Sequence, residues 1–182
     1  MRVAAVLAVA VGAFVVTAAV RDDGATDPVL RFAQDVPADV RAETETTWRR
    51  FLDVVAGRRS CVGDVTVVLE RRVEGGDARY VGAAARIEIQ IPTTPERYRE
   101  SLAHELAHHL ERTCANVGEL QAALTPSLVA PGQAWSVGPT WEETPSERFA
   151  EAVVVAVNGS RVRHTDTVVV EPEVVDLIER WG

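Results

Sequence analysis

Cysteine is scarce in this chain: its 182 residues include two, Cys61 and Cys114, and neither has a CxxC partner. A zinc knuckle built on cysteine pairs is thereby excluded. Basic residues are outnumbered, 19 Lys and Arg against 27 Asp and Glu, for a formal charge of −8. A surface this poor in positive charge does not neutralise phosphates, which argues against nucleic acid as a partner. Glycine at 12 and proline at 9 are near ordinary usage, so the chain is neither collagen-like nor of low complexity. The only methionine is Met1, and no internal repeat is visible. The length suits one domain and is short for two.

What is present begins with an apolar run. After Met1 and Arg2, residues 3–20 carry no charge, and Arg21-Asp22-Asp23 closes the stretch. A positive start, an apolar middle and Val16 and Ala18 at small-residue cleavage positions are the pattern of a signal peptide. The run is also near the lower length for an N-terminal membrane anchor, since about 20 apolar residues cross a bilayer. Residues 1–20 are therefore expected to be a signal peptide or an anchor, with the remainder secreted or tethered outside the cytoplasm. Oxidising conditions there suit a disulfide, and Cys61 and Cys114 are expected to pair.

Residues 21–37 are polar and turn-rich and read as a linker. A helix is expected over 38–56, where Val40, Trp48, Phe51, Leu52 and Val55 recur at helical spacings before Gly57. Residues 64–70 are β-branched and predict a strand. In residues 86–91, Ile87, Ile89 and Ile91 alternate with Arg86, Glu88 and Gln90, a strand with one face buried. A helix starts after Pro92, with Thr94 as N-cap and Pro95 at N1, or with Thr93 and Glu96 as a capping box, and runs to about Arg112. Residues 118–124 suggest a further helical turn or two, 125–146 a long loop with Trp135 and Trp141, and 146–157 another helix. A strand-like Thr167–Val170 precedes a last helix near 172–181. This order of elements is that of an α+β domain.

The chemistry lies on the middle helix, in His104-Glu105-Leu106-Ala107-His108, an HExxH motif. At about 100° per residue, positions four apart differ by roughly 40°, so both imidazoles emerge on one face. They can take two corners of a zinc tetrahedron, while Glu105 stands beside the metal as a general base toward a water held there. Leu102, Leu106 and Leu110 fall on the opposite side of the helix, and His109 points away from the metal face. No histidine follows at the HExxHxxGxxH spacing, and no later methionine can form a Met-turn, so a three-histidine site of that type is excluded.

A third ligand should then be a carboxylate. Glu147 and Glu151 stand one helical turn apart, so one can bind zinc while the other accepts the free N–H of a ligand histidine. Glu111, Glu119, Glu142 and Glu143 compete for the same role. Phe149, Val153, Ala156 and Val157 make the other face of that helix apolar.

The stretch HELAHHLE followed by ERFAEAV resembles the gluzincin zinc metallopeptidases, over about residues 86–157. The resemblance implies a zincin-like fold over 38–182, with a small sheet packed on the HExxH helix and a second glutamate-bearing helix. It implies a Zn2+ cofactor bound by His104, His108 and Glu147, with Glu151 supporting a histidine and Glu105 catalysing hydrolysis of a peptide or protein substrate. It also implies that a sheet edge, associated with the strand at 86–91, lies along the cleft, where Trp135 and Trp141 can line it. The sequence departs from the family in its oxyanion donor: Tyr80 and Tyr98 lie upstream, no tyrosine follows His108, and His164 is the remaining candidate. The alternative expectation is a zinc-binding surface or interaction domain of the same fold that does not hydrolyse peptides.

Overall fold

The computed structural model describes residues 27–161 and 168–182. The apolar run 3–20, the start of the expected linker and His164 lie outside the described residues. The sheet is organised around β2 (Val65–Glu70) and β4 (Arg86–Gln90), which pair in parallel with Val67 opposite Ile87 and Leu69 opposite Ile89. The alternating Val65, Val67, Leu69, Ile87 and Ile89 are all buried, so both strands turn one apolar face to the core. The opposite face of β4 is not simply solvated. Glu88 is buried there, bonded by Arg79 at 2.6 Å and Arg86 at 2.6 Å.

The sheet has four strands, in the order β1 (Leu30–Phe32), β2, β4 and β3 (Ala78–Val81). Strand β1 (Leu30–Phe32) lies within residues expected to be linker, and pairs in parallel with β2. Asp64 draws it in by accepting from the Val29 backbone N–H at 2.8 Å and from Arg31 at 2.6 Å. Strand β3 (Ala78–Val81) pairs antiparallel with β4 and forms the other edge. The strand at 86–90 is thus central, and the edge near the HExxH helix belongs to β3.

Against the sheet packs α3 (Pro95–Thr113), which bears the HExxH motif, and α1 (Ala38–Val54) packs in turn on α3. Trp48, Phe51 and Leu52 of α1 are buried with Val55 just beyond it. Thr94 caps α3, its hydroxyl accepting from Arg97 N–H at 3.3 Å with Pro95 at N1, so this cap and not the Thr93–Glu96 box starts the helix. Leu102, Leu106 and Leu110 are fully buried, each stabilising the fold by about 1.5–3 kcal/mol relative to exposure. Cys114, at the end of α3, forms a disulfide with Cys61 on the short α2 (Arg59–Val62).

The chain continues as α4 (Val117–Leu128), a loop at 129–144, α5 (Pro145–Asn158) and α6 (Pro172–Trp181). Helix α4 runs on through Pro126 to bury Leu128, beyond the one or two turns expected. Gly159, at φ 73°, closes α5 in the left-handed conformation. Residues 168–170 form no strand. Helix α5 packs on α3 and buries Phe149, Val153 and Val157, which sets its glutamates beside the histidines. Among the described residues the fold is α+β, with a mixed four-stranded sheet and six α-helices. No helix among them is long and apolar enough to cross a membrane.

Candidate metal centre

His104, His108 and Glu147 converge on one point between α3 and α5, with a donor atom from each within 4.8 Å of the others. Glu147 Oε2 stands 3.0 Å from His104 Nε2 and 3.4 Å from His108 Nε2, and the two Nε2 atoms are 3.2 Å apart. Donors bonded at about 2.0–2.1 Å to one tetrahedral ion are separated by about 3.3 Å, so these spacings match one face of such a tetrahedron. The cluster can hold a metal ion.

Each histidine is oriented from behind. His104 Nδ1 donates to Glu151 Oε1 at 2.9 Å, and His108 Nδ1 donates to Glu111 Oε2 at 3.0 Å. With a proton held on Nδ1 by these bonds, the neutral form of each ring presents its Nε2 lone pair to the point where a metal would sit. Glu151 is 1% exposed, and its second oxygen faces Arg161 in an ion pair. Glu111, which the sequence offers as a competing ligand, lies behind His108 instead. Of its rivals, Glu119 pairs with Arg58, Glu143 bonds Thr140, and Glu142 does not join the donor cluster.

The electrostatics favour a cation at this point. Burial alone would raise the Glu147 carboxyl, but the bonds with His104 and His108 outweigh it and hold the group well below its usual range. Burial likewise works against a charged His108, yet its bonds with Glu111 and Glu147 push it up to about 10. Glu105 lies beside the cluster and is 7% exposed. Burial pushes its carboxyl up, opposed by His104 and His108 and by the backbone N–H of Tyr80 on β3. A carboxylate made more basic by burial and facing a cavity is suited to taking a proton.

Two cavities, of about 350 and 710 Å³, meet at His104, Glu105 and Trp141. The smaller reaches Gly76 and Asp77 before β3, and the larger follows Arg79, Tyr80 and Gly82. Together they form a cleft along the β3 edge. Trp141 is 44% exposed and stacks on His104 with ring centroids 5.7 Å apart. Trp135 lines the larger cavity and also packs on Phe149. The loop carrying both is tied down locally: Gln133 bonds Ala130 N–H at 3.0 Å and the Glu143 carbonyl at 2.9 Å. A side chain on Gly138 would lie 2.7 Å from the Thr144 backbone, so that close approach requires glycine.

His109 points away from the metal cluster and is fully buried, its ring bonding Tyr80 Oη at 3.1 Å and the Gly63 carbonyl at 3.3 Å. Burial pushes its pKa down, so the neutral ring donates to Gly63 and accepts from Tyr80. The Tyr80 hydroxyl is thereby committed to His109, and the buried Tyr98 hydroxyl to Thr44 at 2.7 Å. The role of Glu111 was not assigned from the sequence; its spacing of three residues from His108 was the available signal. No protein-family model, curated protein or solved structure matches the chain.

Proposed function

We propose that this chain is an exported zinc-dependent metallopeptidase of gluzincin type. The observation that carries the reading is the juxtaposition of the His104–His108–Glu147 donor triangle with the buried Glu105 carboxylate at the meeting of two cavities. Two imidazoles and one carboxylate at tetrahedral spacing are a donor set suited to zinc, with a fourth position left for water or substrate. When bound there, zinc supplies Lewis acidity, acidifying a water and polarising a carbonyl.

The remaining work falls to the chain. Glu105 takes a proton from the attacking water and returns it to the leaving amine, for which its raised basicity fits it. The outer edge of β3 offers backbone groups to an extended peptide, so the substrate is a peptide or protein segment laid along the cleft. Glu151 and Glu111 keep both rings turned toward the metal. The disulfide accords with an oxidising, extracytoplasmic location.

The test is zinc content and peptide hydrolysis of the full chain purified from oxidising conditions, beside a Glu105→Gln variant. About one zinc per chain, with hydrolysis about 10²–10⁴-fold lower in the variant at equal zinc, is the expected result. A second reading, a zinc-binding surface or interaction domain that does not hydrolyse peptides, is favoured by the commitment of the Tyr80 and Tyr98 hydroxyls elsewhere. It predicts equal zinc in both proteins and no hydrolysis by either.

A further inference from the structure

We infer that Glu111 is a positioning residue for His108, and that the loop at 129–144 sets metal affinity through it. The inference rests on the metal-site reading above. A glutamate three residues after a histidine on an exposed helix usually points into solvent and interacts weakly. Glu111 is held differently. Its side chain is 11% exposed, and donors from three separate elements use both of its oxygens. His108 Nδ1 reaches Oε2 at 3.0 Å, Gln121 of α4 reaches Oε1 at 3.3 Å, and the Trp135 indole N–H of the loop reaches the same Oε1.

Trp135 has a second connection. Its carbonyl accepts the Ser146 N–H at 2.9 Å, in the first turn of the helix that carries Glu147. One loop residue therefore secures both the carboxylate behind His108 and the start of the helix bearing the third donor. Loss of the indole N–H leaves Oε1 with Gln121 alone and frees Glu111 to swing off His108. An amide in place of the carboxylate has a more direct effect. With its oxygen turned to Trp135 and Gln121, its NH2 faces His108 Nδ1, which must then accept, placing the ring proton on the Nε2 that a metal needs bare.

The experiment is a zinc affinity titration of the full chain against Glu111→Gln and Trp135→Phe, with the His108 ring followed by 1H–15N NMR. Glu111→Gln should bind zinc about 10–100-fold more weakly, with Nδ1 of the metal-free His108 stripped of the proton it carries in the wild type. Trp135→Phe, which keeps the aromatic packing on Phe149, should lose about 2–10-fold. The metal-free variants should stay folded, with urea midpoints lowered only by the lost hydrogen bond. Wild-type zinc affinity in Glu111→Gln overturns the inference, as does an affinity loss with the His108 Nδ1 proton still in place. Unchanged affinity in Trp135→Phe overturns the part assigned to the loop. A wild type that binds no zinc refutes the metal-site reading itself, a result distinct from all of these.

Discussion

Zinc affinity should rise with pH, by an amount that follows from the surroundings of His108. In the metal-free protein the bonds with Glu111 and Glu147 overcome burial and push its pKa up to about 10, so the ring carries a proton at neutral pH. A metal at Nε2 must displace that proton. The apparent association constant is then lowered by about 10³ at pH 7 and by about 10 at pH 9, so affinity should tighten about 100-fold between the two. Glu147, held well below its usual range, stays ionised throughout and adds nothing to the slope. Competition against a chelator of known protonation constants measures this slope, and calorimetry in two buffers of different ionisation enthalpy counts about one proton released. The metal-free protein should respond in the opposite sense. A raised histidine pKa contributes stability that is fully present below about pH 6.5 and is lost as pH rises toward about 10. An affinity flat between pH 7 and 9, with no proton released, would refute the reasoning.

Glu147→Ala should largely abolish zinc binding, because Glu147 alone reaches both Nε2 atoms, whereas Glu151→Ala, which of the two histidines reaches only His104 and at Nδ1, should weaken it about 10–100-fold. Metal analysis after dialysis separates the two, and the reverse ranking would mean that their roles are exchanged. Replacing both cysteines by alanine should cost about 4 kcal/mol, the chain-entropy value for a cross-link across 53 residues, read from urea unfolding; a loss under about 1 kcal/mol would contradict it. Leu106→Ala, at a fully buried position behind the motif, should cost about 2–5 kcal/mol in the same assay, and a near-neutral result would show that the site collapses without leaving a cavity.

The parts of the fold that were legible are those whose signals are local. Thr94-Pro95 announces the start of α3, the leucines at 102, 106 and 110 fix its buried side, and the histidine spacing then follows from helical pitch. The glutamates of α5 were legible as a pair for the same reason. Strand β3 was not: four residues after a turn carry little period, and its pairing with β4 supplies the order. Strand β1 is shorter still, and Asp64, more than thirty positions away, draws it into the sheet. Residues 118–124 read as a helical turn or two with loop from 125, yet α4 continues through Pro126 to bury Leu128, so packing overrode the local signal.

The same distinction runs through the candidate metal centre. Glu147 and Glu151 could be paired from their spacing, but their roles depend on which histidine nitrogen each reaches, and that is set by how α5 packs on α3. Glu111 shows this more sharply. Six glutamates follow the motif closely enough to compete as ligands, and what separates Glu111 from the others is Gln121 on the next helix and Trp135 on a loop read only as a lining. A ligand histidine can be named from its own helix; the carboxylate that orients it belongs to the tertiary structure. The donor triangle is therefore a property of the packed helices and the loop together, and its affinity for metal should respond to residues that never touch the ion.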